Sequence, residues 1–592
     1  MTISSVGSYI HSINRHVNPK RSLLLPCIVL CLPYLLFGQD SSVLTQHNDS
    51  GRTGANLTEA ILSPNSIKNE RFGKIFSLPV DGQIYAQPLV MANVAVQGEG
   101  VRNVVIVATM RNNIYAFDAD KQEDAPLWKV NLGTPMLYDQ IPVDVPGLID
   151  QYNIRPFIGA TSTPVIDPGR KRLYAVAKIA EPGQSIVNRL HAINITTGAI
   201  EQRVDIMIPK QGQDPNEVAR EHLQRAALLL SKGKVYVAFG SHQDAAPLDY
   251  QGWLLAFDAD TLELKQSFCL TPGGLQGSIW QSGNGPSADD DGNVYVMTAN
   301  GSFNPDQRQF SDSFVKLSPD FSNVDWFTPS NVDKLNLLDI DLGSAGPVLL
   351  PSPLPQELVG GGKEGKFYLV NRTQLGHQQP HRFLREGINP PIQVVQAARK
   401  WRLTWLSWIP FLFYTGYHHI HGSPVIWISR TEGPLIYVWP EDDKLKAFKY
   451  DPNTKLNRKP KVSAQNDAQG MPGGILSVSA NGQDNGLVWS AMPLEDDAFV
   501  QTVRGVLRVF DANTLEMLWS SDQYEPDDNF NFAKYVPPTI ANGKVYLATF
   551  SDRLNVYGLN SPFVPPAAKP ATKAPKNLHK RKDLHKRRTK VG

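Results

Sequence analysis

Short runs in which apolar and polar residues alternate recur through most of the chain. Each is rich in Val, Ile, Tyr and Phe, and each is bounded by Asn, Asp or Gly. A period of two built from β-branched and aromatic residues, punctuated by Asx and Gly turns, predicts antiparallel strands. One grouping repeats: a run ends in an acidic box and a second run follows. The clearest copies are "NNIYAFDADKQEDAPLWKV", "NRLHAINITTGAIEQRVDI", "GWLLAFDADTLELKQSF" and "GVLRVFDANTLEMLW". Weaker copies are "DSFVKLSPDFSNVDWF", "GKFYLVNRTQLG", "DKLKAFKYDPNTKL" and "DRLNVYGLN". A further strand-like run often precedes the unit, as in "NVVIVAT", "GKVYVAFGS" and "GNVYVMTANGS".

Eight such units lie between residues 100 and 560, spaced by about 63 residues, which is room for four strands apiece. Eight four-stranded antiparallel units in tandem predict an all-β fold, a single eight-bladed β-propeller over 39–560. The stretch "GKIFSLPVDGQIYAQPLV" within 39–100 is expected to supply strands that close the ring against the last blade. The box itself reads as structural. Its Ala and Phe alternate into the sheet, and its Asp caps the turn that follows by accepting backbone N–H groups. The drift of the copies agrees, since Asn194 replaces the Asp of Asp118, Asp258 and Asp511.

Composition changes the picture at the two ends. The chain has 592 residues, 41% of them hydrophobic, and a net charge of +2. That charge hides an asymmetry. Residues 1–38 carry Arg15, Lys20 and Arg21 without an acid, and 561–592 carry many Lys and Arg against Asp583 alone, so the body between is acidic. An acidic body gives no reason to expect specific nucleic-acid binding. Basic residues, then the apolar stretch Ser22–Phe37, then small polar residues read as a signal peptide over 1–38, and so as an exported protein, periplasmic, extracellular or at the cell surface. Cys27 and Cys31 lie in that leader, which leaves Cys269 alone and no internal disulfide. No CxxCH motif occurs, so no covalent haem is expected. The Pro-, Ala- and Lys-rich tail 561–592 is expected to be disordered. Two readings of it stand: electrostatic attachment to an anionic surface or polymer, or a solubilising extension.

The repeat resembles that of the quinoprotein alcohol dehydrogenases, whose blades carry A-x-D-x-x-x-G-x-x-x-W. Asp511 to Trp519 keeps the spacing, Ala192, Asn194 and Gly198 keep its first part, and Trp128 comes two residues late. The segment "GSIWQSGNGPSADDDGNVYVMTANGSFNP" resembles the one in which a Trp floors the quinone and a Gly-Asn supplies a calcium ligand, which would be Trp280 and Asn300. "LLDIDLGS" resembles the family's W-D-x-D stretch. It puts Asp339 at the catalytic base and Asp341 at a second, metal-proximal acid, with Leu338 where the Trp stands. "VGGGKEGKFYLVNR" puts Lys363 at the cation against the quinone oxygens, and Asp244 falls near an acidic metal ligand. The family's adjacent-cysteine disulfide has no counterpart here. The resemblance implies pyrroloquinoline quinone and calcium as cofactors. Whole-chain likeness is greatest to exported, uncharacterised propellers of this group, through "HNDSGRTGANL", "HHIHGSPVIW" and "MPGGILSVSANG". The leading expectation is therefore a binding or interaction scaffold. The alternative is a quinone- and calcium-dependent alcohol or sugar dehydrogenase with its site in the central funnel.

Three further stretches carry their own readings. "HHIHGSPVIW" puts His419 and His421 on one side of a strand, either as packed residues or as a two-His metal pair. "SADDDGNVY" lacks the spacing of a calcium loop and reads as an acidic hairpin turn. In "WRLTWLSWIPFLFY" (401–414) the Trp residues fall at helical spacing, which fits an interfacial helix or an insert packed between blades. One outcome follows from the tail. Wild-type protein should be retained on an anionic surface in a salt-dependent way, and a chain lacking 561–592 should not. Unchanged, salt-independent retention after the deletion would leave the solubilising reading.

Overall fold

The structure, a computed structural model, describes residues 41–559 apart from 70–71, 142–153, 184, 211, 243–248, 378–390, 403–414, 465–467, 500 and 524–528. Eight antiparallel sheets follow one another along the chain. The first contains Leu89–Val96, Gly100–Ala108, Asn113–Asp118 and Trp128–Asn131 in that order. Six more repeat the same up-and-down path within 165–205, 229–269, 287–327, 348–396, 425–462 and 475–520. The eighth is composite. Thr539–Ala541, Lys544–Leu547 and Arg553–Leu559 supply its inner three strands, and Phe72–Pro79, from the start of the chain, pairs as its outermost. The eight-bladed propeller expected from the repeat is thus the observed fold, and the expected closing strand is Phe72–Pro79.

Eight apolar clusters correspond to the eight junctions between neighbouring sheets. One contains Val105 and Phe117 of the first blade with Leu554 and Val556 of the eighth, so the closing junction is packed like the others. Alternation along each strand sends one side chain into each neighbouring junction. Polar bonds set the register between blades. The Tyr174 hydroxyl donates to the Ala259 carbonyl at 2.6 Å, Tyr437 to Ala512 at 3.0 Å and Tyr546 to Ala119 at 3.1 Å. In each case a tyrosine on a blade's second strand reaches the residue that follows the acidic box of the next blade. Trp128 does similar work, donating its Nε1–H to the Ile195 carbonyl at 3.0 Å. A Cβ on Gly198 would lie 2.7 Å from the Trp128 ring, so the glycine of the repeat is what lets the indole of the previous blade lie flat on it.

The box is a turn cap. Asp258 Oδ1 accepts the N–H of Asp260 and Thr261 and the Thr261 hydroxyl. Asp511 binds Asn513 and Thr514 the same way, and Asp451 binds Asn453 and Thr454. Asn194 serves with its amide oxygen, accepting from Thr196, which is why the substitution is tolerated. Asp289 of "SADDDGNVY" likewise accepts the N–H of Asp291 and Asn293 in a hairpin turn. Of the 401–414 stretch, Lys400–Arg402 pairs as a strand with Thr415–Tyr417, so Trp401 stands in a strand. Trp405 and Trp408 lie outside the described residues, as do 1–38, 561–592 and Asp244.

A segment with no strand pattern does what the repeat cannot. Residues 43–56 run past the innermost strand of every blade in order. Val43 exchanges two backbone bonds with Val90 of the first blade, and the Leu44 carbonyl accepts from Ile166 of the second. The Ser50, Gly51, Thr53 and Gly54 carbonyls accept from Ala288, Leu349, Ile426 and Val478 of the fourth to seventh. Arg52 donates to the Leu228 carbonyl of the third blade at 3.0 Å, and Asn56 to the Ile540 carbonyl of the eighth at 2.7 Å. The inner edges of eight sheets would otherwise present unpaired backbone groups to the axis. Arg52 is fully buried and makes four hydrogen bonds, to Thr45 Oγ1 and to the carbonyls of Gln46, Leu228 and Pro286.

Arg52→Ala should therefore destabilise the protein by at least about 3 kcal/mol, because several buried acceptors lose a charged donor at once. Tyr546→Phe, which removes one neutral bond across the closing junction, should cost about 1 kcal/mol. Urea denaturation measures both, and equal losses would show that the axial segment is no more important than a single junction.

Candidate functional site

The antiparallel path separates two faces. Turns joining the first to the second strand of a blade, and the third to the outer strand, share one end of the sheet. The connections from second to third strand, and from one blade's outer strand to the next blade's inner strand, share the other. All the acidic boxes end third strands and lie on the first face. Every described residue singled out for chemistry falls on the second. Asn300 and Lys363 follow the second strands of the fourth and fifth blades. Trp280, Asp339 and Asp341 lie on connections between blades.

Asn300, Asp339, Asp341 and Lys363 come together. The Lys363 ammonium is 2.5 Å from Asp341 Oδ2 and 3.2 Å from Asp339 Oδ2. Asp341, almost fully buried, also accepts the Asn300 backbone N–H at 3.1 Å, and Asn300 Nδ2 donates to Asp339 Oδ1 at 2.9 Å. The triple glycine before Lys363 makes this approach possible. A Cβ on Gly362 would lie 2.3 Å from the Asp341 carbonyl, and the Lys363 N–H donates to that same carbonyl at 2.9 Å. Asp339 follows the short helix Val332–Leu337 and takes φ +55, the left-handed conformation in which helices commonly end on glycine. The Ile340 N–H returns to the Leu335 carbonyl, which completes that ending. An aspartate there tolerates the conformation better than most residues and projects a carboxyl beyond the helix end.

The electrostatics distinguish the acids. The Asp339 side chain is 73% exposed, open to water yet set among protein groups. Those surroundings raise its pKa above the usual 3.8: crowding by protein is the largest cause, Lys363 opposes it, and Asp341 adds to it. Asp312 lies behind Asp341, fully buried. It accepts the Leu342 N–H at 2.8 Å, and burial, with Asp341 adding to it, pushes its carboxyl well above its ordinary value of 3.8.

Trp280 stands beside this group through His421 and Tyr535. Its ring centroid is 6.0 Å from His421 and 6.2 Å from Tyr535, the latter edge-on. Gln281, Ser282 and Gly283, which follow it, all have positive φ, and Ser282 Oγ donates to the Ser344 carbonyl at 2.6 Å. Such strain is held only by surroundings that over-determine it. Two cations complete the wall. Arg225 lies over Tyr85 and Tyr535 at 5.5 and 5.7 Å, and it donates to the carbonyls of Thr161 and Lys534 at 3.4 Å. Burial lowers its pKa to about 10, and no carboxylate pairs with it among the described residues. Lys534, also buried, is brought down to about 8 by burial, against the pull of Asp497.

His419 and His421 lie on the connection into the sixth blade, and a residue unremarked in the sequence joins them. Glu441, after the second strand of that blade, is 3.4 Å from His419 Nδ1 and 3.7 Å from His421 Nε2. A search aligned on the blades would have found it, since Glu441 follows the second strand of blade six as Lys363 does in blade five and Asn300 in blade four. By contrast, a surface cleft of about 450 Å³ lined by Gln266, Phe268, Cys269, Arg308 and Phe321 lies on the outer strands and takes in none of these residues. Cys269 is a free thiol there, pushed up to about 11 by burial.

Comparison with solved structures agrees with the architecture. The chain superposes on the quinohemoprotein alcohol dehydrogenase of Comamonas testosteroni with a TM-score of 0.53 and 15% identity, covering 90% of this chain and 82% of that one. For the quinohemoprotein alcohol dehydrogenase ADHIIG of Pseudomonas putida HK5 the TM-score is 0.55 at 14% identity, over 91% and 84%. For a europium-containing methanol dehydrogenase it is 0.54 at 14% identity, over 88% and 98%. At these identities the shared property is the eight-bladed fold. No family model and no curated protein matches the sequence. No helix among the described residues is long and apolar enough to cross a membrane.

The shared cation supplies a test of the geometry. Lys363→Met removes the nearest positive charge from Asp339 and so disfavours its ionised form. Carboxyl-carbon NMR of labelled protein should find the Asp339 titration above 3.8 in wild type and higher still in the variant. A fall, or no change, would mean that Lys363 does not sit against Asp339 in solution.

Proposed function

We propose that this face of the propeller carries a quinone-dependent dehydrogenase site for an alcohol or a sugar. The observation that carries the reading is a water-accessible carboxylate, Asp339, bonded through its two oxygens to Asn300 and Lys363 within one cluster beside a half-exposed indole. A scaffold surface has no need of such a group. This is why we favour the enzyme over the binding-scaffold reading. The residues present suit an anionic planar cofactor. Arg225 is a buried guanidinium without a carboxylate, Lys534 and Lys363 are further cations nearby, and Trp280 and Tyr535 offer aromatic surface. They also suit a hard cation. Asn300 Oδ1 is buried without a donor, and the Asp339 and Asp341 carboxylates are the other oxygens within reach.

Pyrroloquinoline quinone, when bound with calcium, would accept the hydride that leaves the alcohol carbon. The protein's own part is the proton and the charge. Asp339, ionised above its raised pKa, would take the hydroxyl proton as the hydride departs. Lys363 holds Asp339 toward the ionised form before the reaction and would stabilise negative charge that develops on a quinone oxygen. Asn300 fixes the second carboxylate oxygen, so the basic lone pair keeps one orientation. The fold likeness to quinoprotein dehydrogenases supports this reading, as does the expected leader, which would send the chain out of the cytoplasm.

Purified protein reconstituted with pyrroloquinoline quinone and calcium should give a quinone absorbance change and reduce a dye with an alcohol or aldose. Asp339→Asn should lower kcat by about 10²- to 10⁴-fold with quinone binding intact. The rate should rise with pH as Asp339 loses its proton. Neither an absorbance change nor dye reduction across an alcohol panel would return the argument to the scaffold.

A further inference from the structure

His419, His421 and Glu441 form a cluster that the dehydrogenase chemistry does not use. One donor atom from each lies within 4.8 Å of the other two. The separations from Glu441 to the two imidazoles, 3.4 and 3.7 Å, are longer than hydrogen bonds. They run from different carboxylate oxygens, Oε1 to His419 Nδ1 and Oε2 to His421 Nε2, so the carboxylate turns one oxygen toward each imidazole; donor atoms about a tetrahedral metal with bonds of about 2.1 Å stand roughly 3.4 Å apart. His421 is 1% exposed, and neither of its ring nitrogens has a hydrogen-bond partner. A buried imidazole in that state loses the bonds water would give it and regains nothing from the protein.

The backbone holds the three in place. The Glu441 N–H donates to the His419 carbonyl at 3.1 Å, and Ser344 Oγ donates to the Ile420 carbonyl at 2.8 Å. Both segments are therefore tied before any ligand arrives, as a metal site requires.

We infer that His419, His421 and Glu441 bind a divalent first-row transition cation. Two imidazoles and a carboxylate are the donor set of such ions, and three protein ligands leave coordination positions for water or a substrate oxygen. The hard-oxygen group around Asp341 selects the opposite class of cation, so the two sets would not compete for one metal. This inference does not depend on quinone binding.

The test uses full-length, untagged protein stripped with a chelator. Co²⁺ alone is the spectroscopic probe and Zn²⁺ is titrated by calorimetry. One equivalent should bind, with a ligand-field spectrum of nitrogen and oxygen donors and no thiolate band. Glu441→Gln and His421→Ala should weaken Zn²⁺ binding by at least roughly the 10- to 100-fold that loss of even a supporting partner costs. Asp339→Asn should bind Zn²⁺ like wild type, and calcium should not displace the cobalt. Thermal melting confirms that each variant is folded, and His421→Gln stands in if His421→Ala is not. The inference is overturned if wild type takes up no cobalt, if the His421 and Glu441 variants bind as wild type, or if Asp339→Asn abolishes binding. Failure of quinone reconstitution leaves these outcomes unaffected, so the two readings fail separately.

Discussion

The structure depends on the pairing of residues 43–56 with the inner strands of all eight blades. A propeller leaves eight sheet edges facing its axis, and each edge carries backbone donors and acceptors that must be satisfied. Here the chain's own early residues satisfy them, mostly through carbonyls at Leu44, Ser50, Gly51, Thr53 and Gly54. Arg52 completes the pairing at the third blade with a buried guanidinium that bonds groups from several elements. With Phe72–Pro79 closing the outside of the eighth blade, the first forty described residues lock the ring at its axis and at its rim. Because the axis is occupied by protein, a ligand reaches the charged cluster from the face of the blade-to-blade connections.

That face and its opposite have different tasks, and the division follows from strand order alone. Third-to-outer turns carry the acidic boxes, whose carboxylates are used up in capping backbone N–H groups. A carboxylate so engaged is fixed in the turn by its Oδ1, which ties it to the backbone of its own blade. The connections on the other face are not bound by the repeat and vary from blade to blade. Here they bring Asn300, Asp339, Asp341 and Lys363 to a few ångströms of one another, and Glu441 to a few ångströms of His419 and His421.

Legibility in the sequence followed the same line. The blade count, the strand type and the closing strand could be read, because periodic burial imposes periodic residues. The cap role of Asp118, Asp258 and Asp511 could be read because Asn194 drifts in without losing an acceptor. Asn300, Asp339, Asp341 and Lys363 were found through a resemblance, since nothing in their own spacing says that a loop of the fifth blade touches the connection before it. The axial segment was invisible as an element. Its residues reach eight blades, six through backbone groups and two through the Arg52 and Asn56 side chains, and that leaves no alternation to detect. Glu441 was missed for a related reason: it lies far from His419 in sequence, and only equivalence of loops between blades relates it to Lys363.

The cluster's charges explain why one lysine holds so central a place. Two carboxylates side by side repel, and burying one of them, Asp341, is costly unless a cation answers it. Burial and Asp341 both work against a third negative charge on Asp312, whose carboxyl is pushed well above its ordinary value. Lys363 then compensates Asp341 at 2.5 Å and reaches Asp339 at 3.2 Å, so the buried acid is held firmly and the exposed one loosely. The difference matters chemically. Asp341 cannot leave its lysine and its Asn300 N–H without exposing a buried charge, so its role is to position. Asp339 stays water-accessible, its pKa raised by the crowding of protein around it and by Asp341 against the opposing pull of Lys363, and it is the acid in the group that is open to exchange a proton with water.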